Sequence, residues 1–192
     1  MKLLILSFSA LIVFAAAQHC ISPDVFESRI ISYDHRTGYY AAGWLAYDAN
    51  TERIRVIEDA YENSTKTHYD TLFAYKEKAE YRINTSTNKC TKLALNEKFI
   101  PIGVYPNSTY VGNFILGTLG APGAGVIVQE WSHKVTTGVW YQMFTDHGCI
   151  PVHSMFYGKD SAGMDVHYHH EYMDVSLGVR EPEIFDIPKQ CL

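Results

Sequence analysis

The stretch "YYAAGWLAYDANTERIRV", residues 39–56, predicts two β-strands joined by a tight turn. Aromatic and compact residues fill positions 39–47, the turn-forming letters "DANT" occupy 48–51, and apolar and basic residues alternate over 53–56. Alternation with a period of two is typical of a strand with one buried face, and Asp and Asn favour turns. The pattern therefore indicates a β-hairpin.

The same pattern extends over most of the chain. Further strands are predicted at residues 68–75, 79–83, 89–95, 125–131, 138–144 and 150–157. They are rich in aromatic and β-branched residues and are separated by polar or glycine-containing segments. Only residues 181–185 favour a short helical turn, because no longer segment repeats apolar residues at helical spacing. The expected fold class is mainly antiparallel β.

The beginning of the chain has the composition of a secretory signal peptide. Lys2 precedes an apolar run over residues 3–14, and three alanines follow at 15–17. We therefore expect cleavage after residue 17 and secretion of a single domain, residues 18–192, since a chain of this length supports one core. No later apolar run is long enough to cross a bilayer, so no transmembrane segment is expected.

Cysteines and glycosylation motifs agree with an extracellular protein. Cys20, Cys90, Cys149 and Cys191 predict two disulfides, and counting alone leaves three pairings open. Three Asn-x-Ser/Thr motifs lie in segments that resemble turns, and we expect at least two of them to carry glycans. Their asparagines are Asn63, Asn84 and Asn107.

The charge of the chain argues against nucleic acid as a partner. Without Lys2, 15 of the 16 basic residues remain against 21 acidic ones, which gives a formal net charge of −6. No basic cluster is present that would neutralise phosphates. An acidic surface suits calcium, although the same charge also serves solubility.

Two stretches, one glycine-rich and one histidine-rich, suggest chemistry that their context does not support. The stretch "GTLGAPGAG", 117–125, lacks the lysine of a phosphate-binding loop and precedes a strand, so we predict a mobile surface loop. The stretch "MDVHYHHEYMDV", 164–175, contains an approximate zinc-protease motif but alternates as a strand does. On a strand, Asp165, His167, His169 and Glu171 form one stripe, which is either a weak metal site or, the favoured interpretation, a solvated polar face.

Several short motifs, taken in order, resemble the ependymin family of secreted glycoproteins. The resemblance covers almost the whole mature chain and includes the positions of all four cysteines. The motifs are Cys20, "LAYD" (45–48), "LFAYKEKAEYRI" (72–83), "TNKCTKLAL" (87–95), "PNST" (106–109), "VQEWS" (128–132), "GCIPV" (148–152) and "MDVSLGVREPEIF" (173–185).

The resemblance implies two curved antiparallel sheets around a deep apolar pocket, similar to bacterial lipoprotein carriers. It also implies a homodimer, calcium binding, association with extracellular matrix and, for some relatives, delivery to lysosomes. By matching cysteines, it implies the pairs Cys20–Cys149 and Cys90–Cys191. The histidines of residues 167–170 are not part of the family pattern.

Three functions follow as hypotheses. The first is a non-enzymatic carrier that binds a hydrophobic, lipid-like molecule in a pocket. The second is a calcium-dependent component of the extracellular matrix or of cell adhesion, in which the pocket is incidental. The third is a secreted metal-dependent hydrolase that uses His167, His169 and Glu171. For the first, the aromatic residues of predicted strands are candidate pocket residues: Trp44, Phe73, Trp140, Phe144 and Phe156.

Overall fold

The structure, a computed structural model, describes residues 20–62, 65–160 and 162–192; the predicted signal peptide and Asn63 lie outside these residues. Strands account for most of it, and the mainly antiparallel β class is confirmed. A short 3₁₀ turn at Pro182–Phe185 matches the predicted helical turn, and a second lies at Lys189–Cys191. The strands are β1 Val25–Asp34, β2 Tyr39–Asp48, β3 Arg53–Glu62, β4 Thr65–Ala74, β5 Ala79–Asn84, β6 Lys89–Ala94, β7 Thr109–Gly117, β8 Gly125–Val135, β9 Gly138–Thr145, β10 Pro151–Lys159 and β11 Asp165–Leu177.

The eleven strands form one continuous antiparallel sheet in the order β6-β5-β4-β3-β2-β1-β11-β10-β9-β8-β7. Each half is a meander of consecutive strands, and the first strand of one meander pairs with the last strand of the other. This central ladder runs from Phe26 opposite Leu177 to Asp34 opposite Tyr168. The resemblance implies two sheets, whereas hydrogen bonding between β1 and β11 joins the halves into one.

The sheet is curved, so that residues from distant strands share one side, which we call the inner face. Ile54 of β3 and Tyr172 of β11 pack against the same buried cluster around Ile30 and Leu45. Phe73 of β4 and Tyr172 of β11 line one cavity, although strands β3, β2 and β1 lie between β4 and β11 in the sheet. The opposite side is the outer face.

Residues 99–105, which we call the crossing segment, run over the inner face. The Ile102 N–H donates to the Tyr47 hydroxyl at 3.0 Å, and the Val104 N–H donates to the Cys20 carbonyl at 2.8 Å. Gly103 allows this approach, because a Cβ there would lie 2.9 Å from the Cys20 carbonyl oxygen. The disulfide Cys20–Cys149 attaches this region to the turn that follows β9.

The C-terminal residues 179–191 cover part of the outer face. Phe185 is buried with Leu72 and Tyr81 in a cluster that Trp44 also contacts. The Arg55 guanidinium donates to the Ile184 carbonyl at 2.7 Å and holds the segment to β3. The disulfide Cys90–Cys191 then fixes its end to β6.

Two strands, β1 and β7, were not predicted from the sequence. In β1 the buried positions include Glu27, Ser28 and Ser32, so the apolar alternation is weak. In β7 nearly every residue is exposed. The glycine-rich stretch 117–125 is the connection between β7 and β8, and it requires glycine at 117, where φ is +88° and a Cβ would lie 2.1 Å from the Ala124 carbonyl oxygen.

Candidate functional site

A cavity of about 720 Å³ lies on the inner face between β1–β5 and β11. Its size falls within the range of small-molecule pockets. Most of its wall is aliphatic or aromatic, since the inward positions of neighbouring strands stand side by side on the pleated sheet. The apolar wall residues are Ile30, Leu45, Ile54, Val56, Phe73, Tyr75, Ile102 and Tyr172.

A second hollow of about 540 Å³ adjoins this cavity, and we call it the polar mouth. The two share four lining residues, so the apolar interior opens directly onto the polar mouth. The shared residues are Tyr39, Glu58, Arg82 and Tyr168; the polar mouth also includes Asp34, Thr37 and Tyr69.

Glu58 stands at the junction of the cavity and the polar mouth. The Tyr39 hydroxyl donates to its carboxylate at 3.3 Å. Burial raises the pKa of Glu58, and the Tyr39 hydrogen bond and the Arg82 charge act in the opposite direction. Burial is the largest of these effects, so the carboxylate is held in a poorly hydrated place.

Arg82 faces the same space but is already paired. Its guanidinium lies 2.8 Å from the Glu80 carboxylate and 5.7 Å from the centroid of the Tyr69 ring. Glu80 and Arg82 are two residues apart on β5 and therefore point to the same face. The positive charge of Arg82 is therefore compensated by the Glu80 carboxylate of the protein itself.

Burial fixes the protonation of two residues of β11, His170 and Tyr172, that line the cavity. Burial lowers the pKa of His170 to about 4, helped by the nearby His169, and raises the pKa of Tyr172 to about 12. The His170 Nδ1 lies 2.9 Å from the Ser32 hydroxyl. At neutral pH both side chains are therefore uncharged, as an apolar ligand requires.

The five predicted pocket aromatics occupy different places. Phe73 lines the cavity. Trp44 lies on the outer face, because it is one residue out of phase with the inward-pointing Leu45, and it packs near Phe185. Sequence periodicity assigns two faces to a strand but does not tell which face is the inner one.

The remaining three predicted aromatics line a neighbouring part of the inner face rather than the cavity. Trp140 and Phe156 are adjacent, with ring centroids 4.9 Å apart, and Phe156 in turn stacks on Tyr168 with centroids 6.5 Å apart. Phe144 is buried with Val104 near the Cys20–Cys149 disulfide. None of the three is among the residues that line the cavity, a position that local sequence does not reveal.

The histidine stripe lies on the outer face, where Asp165 is exposed, as predicted, but His169 is packed rather than solvated. His169 is only 7% exposed, and its ring stacks on Tyr33 with centroids 4.5 Å apart. The Tyr157 hydroxyl lies 3.3 Å from its Nε2, and the centroid of the Tyr157 ring lies 5.0 Å from that of His167. Glu171 accepts a hydrogen bond from the Tyr33 hydroxyl at 3.4 Å. Tyr33 of β1 and Tyr157 of β10 thus pack against the part of the stripe formed by His167, His169 and Glu171.

The described residues do not offer a fitting metal centre. Across residues 20–62, 65–160 and 162–192, no group of three or more His, Cys, Asp or Glu side chains is arranged to hold an ion. The stripe of His167, His169 and Glu171 is among the side chains that this statement covers. We therefore derive no chemistry from a metal.

The described residues include both disulfides and two of the three asparagines of the Asn-x-Ser/Thr motifs. The disulfides are Cys20–Cys149 and Cys90–Cys191, which is the pairing that the resemblance implies. Asn107 is exposed in the loop before β7, and Asn84 ends β5, where its side chain accepts the Thr87 N–H at 3.1 Å. In the part of the chain that the structure describes, no helix is both long and apolar enough to span a membrane.

Sequence reasoning missed the polar mouth. Asp34, Glu58 and Arg82 lie at inward positions of β1, β3 and β5, and only in β3 are the other inward residues mostly apolar. In β3 this phase is visible, since Glu58 follows Ile54 and Val56 at intervals of two. A charged residue in phase with the apolar positions of a strand is the signal that could have found it.

These observations define a class: an all-β protein with an apolar cavity on the inner face of one curved sheet and a polar opening. Comparison with known sequences then gives the family. The Ependymin family model matches residues 63–191, and the chain belongs to the ependymin family.

Individual relatives agree over nearly the whole chain. Mammalian ependymin-related protein 1 of Mus musculus is 28% identical over 178 residues, covering 91% of this chain and 76% of the relative. Ependymin of Notemigonus crysoleucas is 28% identical over 196 residues, covering 99% and 89%. An uncharacterized conserved protein from Thermus thermophilus has a TM-score of 0.54 at 10% identity, with 87% of each chain covered, which shows a shared fold alone.

Proposed function

We propose that the protein is a secreted, non-enzymatic carrier that holds a hydrophobic, lipid-like molecule in the cavity. The observation that carries the proposal is the apolar wall on the inner face, beneath the crossing segment and open at the polar mouth. Removing an alkyl chain from water is favourable by about 25 cal/mol per Å² of apolar surface. A cavity of this volume and lining supports a ligand with a substantial apolar part.

A pair of neighbouring substitutions on β3 tests this proposal. Val56 points into the cavity, whereas Ile57 is 39% exposed on the outer face. Val56→Trp places an indole inside the cavity, and Ile57→Trp adds the same group to the outer face of the same strand. We expect N-phenyl-1-naphthylamine, a neutral apolar fluorophore, to bind the unmodified protein and the Ile57→Trp variant but not Val56→Trp.

Two outcomes of this experiment would contradict the proposal. Equal binding by both variants would place the fluorophore elsewhere and contradict the proposal. Absence of binding to the unmodified protein after removal of copurified lipid would contradict it as well. Circular dichroism of the two variants checks that each retains the sheet.

The hydrolase hypothesis has no support in the site. The side chains of its three residues, His167, His169 and Glu171, alternate along β11 with those of His170 and Tyr172 and pack against Tyr33 and Tyr157. Loss of zinc on dialysis, with no change in stability, is the result that we expect. Stoichiometric zinc that depends on these residues would favour the hydrolase instead.

A second candidate function is a calcium-dependent matrix component that acts as a homodimer. The β7–β8 hairpin favours self-association because both of its faces expose apolar side chains, among them Phe114, Ile115 and Leu116. Calcium binding stays a prediction from the resemblance and the net acidic charge. Matrix binding that needs calcium and persists in Val56→Trp would favour this role over the carrier.

Extracellular location is part of the proposal. Two disulfides, exposed Asn107 and the N-terminal sequence predicted to be a signal peptide support export through an oxidising compartment. Expression in eukaryotic cells tests it, because the protein should appear in the medium and lose mass on glycosidase treatment. Retention in the cytosol without glycans would contradict it, and delivery to lysosomes would appear as acid-compartment staining.

A further inference from the structure

We propose that the polar mouth selects an amphiphile whose polar end carries an ammonium group over one that ends in a free carboxylate. This inference rests on the proposed function, in which the apolar part of the ligand occupies the cavity. The inference adds the sign of the charge on the other end of the ligand, which reaches the polar mouth.

The first observation is the balance of charge. The polar mouth contains the carboxylates of Asp34 and Glu58 and the guanidinium of Arg82. Arg82 is matched by Glu80 at 2.8 Å, so its charge is already compensated. Among the described residues, neither Asp34 nor Glu58 belongs to an ion pair. The uncompensated charge at the opening is therefore negative.

The second observation is an unsatisfied carboxylate oxygen. Asp34 is only 2% exposed, and its Oδ1 accepts the N–H groups of Arg36 at 2.8 Å and His167 at 3.4 Å. Its Oδ2 is buried and has no hydrogen-bond partner among the described residues. A buried polar atom without a partner is unfavourable, so a positive group nearby would stabilise the folded protein.

The third observation is the aromatic wall. Tyr39, Tyr69 and Tyr168 line the polar mouth together with Glu58. Aromatic faces and carboxylates together attract ammonium groups, through the ring quadrupole and through charge. A ligand carboxylate at this place would instead face Asp34 and Glu58, and like charges in a poorly hydrated site repel strongly.

Two probes with the same alkyl chain and different head groups measure the contribution of the head group to binding, because the contribution of the tail is equal in both. Dodecyltrimethylammonium and tridecanoate, which both carry a twelve-carbon alkyl chain, are each titrated, below micelle formation, against bound N-phenyl-1-naphthylamine in unmodified protein. We expect dodecyltrimethylammonium to displace the fluorophore at about tenfold lower concentration, a ratio equivalent to about 1.4 kcal/mol.

Variants assign the preference to the polar mouth. Glu58→Gln keeps the shape of the side chain and removes its charge, and it should reduce the preference to about threefold or less. Glu183→Gln removes an exposed carboxylate in the C-terminal segment and should leave the preference unchanged. Direct fluorophore binding to each variant shows that its cavity is intact, and Asp34→Asn provides a second charge deletion if Glu58→Gln fails to fold.

The outcomes distinguish this inference from the proposed function. Tridecanoate that binds as tightly as dodecyltrimethylammonium overturns the head-group inference and leaves the carrier intact. A preference that persists in Glu58→Gln and Asp34→Asn also overturns it. Displacement by neither probe contradicts both, because the alkyl chain itself then finds no place in the cavity.

Discussion

At the scale of single residues, His170 links the cavity wall to acid stability. Burial lowers its folded-state pKa to about 4, below the unfolded value of 6.5. Between these values the unfolded chain binds more protons than the folded chain, so the free energy of unfolding falls as pH falls from 6.5 towards 4. We expect a loss of about 2 kcal/mol between pH 7 and pH 5 from this group.

Urea unfolding at the two pH values measures this effect. His170→Gln should lose less stability on acidification than the unmodified protein, because the substituted side chain does not titrate. His147→Gln serves as the control, since the His147 side chain is 97% exposed. An equal acid loss in all three proteins would show that His170 is not protonated on unfolding.

The ion pair between Arg55 and Asp70 should contribute to stability much more than surface pairs do. Two hydrogen bonds, of 2.7 and 2.6 Å, join the partly buried side chains, and Arg55 also holds the C-terminal segment. Asp70→Asn should lower the free energy of unfolding by about 2 to 3 kcal/mol. The exposed pair Arg29–Asp174 is the matched control, and Asp174→Asn should cost about 0.5 kcal/mol or less. Equal losses in denaturant midpoints would contradict this account.

At the scale of elements, the two edge strands of the sheet differ in how strongly they oppose pairing with a strand of another molecule. Edge strand β6 carries Lys89 and Lys92 and is fixed through Cys90 to the C-terminal segment. Edge strand β7, "TYVGNFILG", carries no charged residue. Charged edges oppose strand addition, whereas an apolar uncharged edge invites it. We therefore predict that the proposed homodimer forms through β7.

Light scattering coupled to size-exclusion chromatography tests this placement. Ile115→Lys, at the centre of β7, should shift the protein from dimer to monomer, because a buried lysine opposes association. Leu93→Lys on β6 makes the same change at the other edge and should leave the dimer intact. A dimer that survives Ile115→Lys, or a monomeric unmodified protein, would contradict it.

A strand could be predicted from the sequence where apolar and polar residues alternate clearly within a short window. Hairpin β2–β3 was predicted because its turn residues and period of two lie within one short window. Strand β1 was missed, since its inward Ser28 and Ser32 are buried by distant neighbours. Strand β7 was missed because an edge strand with both faces exposed has no clear period.

At the scale of the whole molecule, the position of the cavity depends on curvature and on the crossing segment. Both bring together residues that are far apart in sequence, such as Phe73, Ile102 and Tyr172. Local patterns therefore predicted an aromatic-rich β protein but selected only one correct wall residue, Phe73. The family resemblance added an apolar pocket and the cysteine pairing, whereas the polar mouth required the assembled sheet.

Native mass spectrometry of protein secreted by eukaryotic cells tests the central claim most directly. The account predicts a defined excess mass that is lost on gentle organic extraction and is identified as a lipid-like molecule. Protein with Val56→Trp should lack this mass, while Ile57→Trp should retain it. An unmodified protein that carries no such molecule and takes up no alkyl-chain probe after extraction would contradict the carrier function.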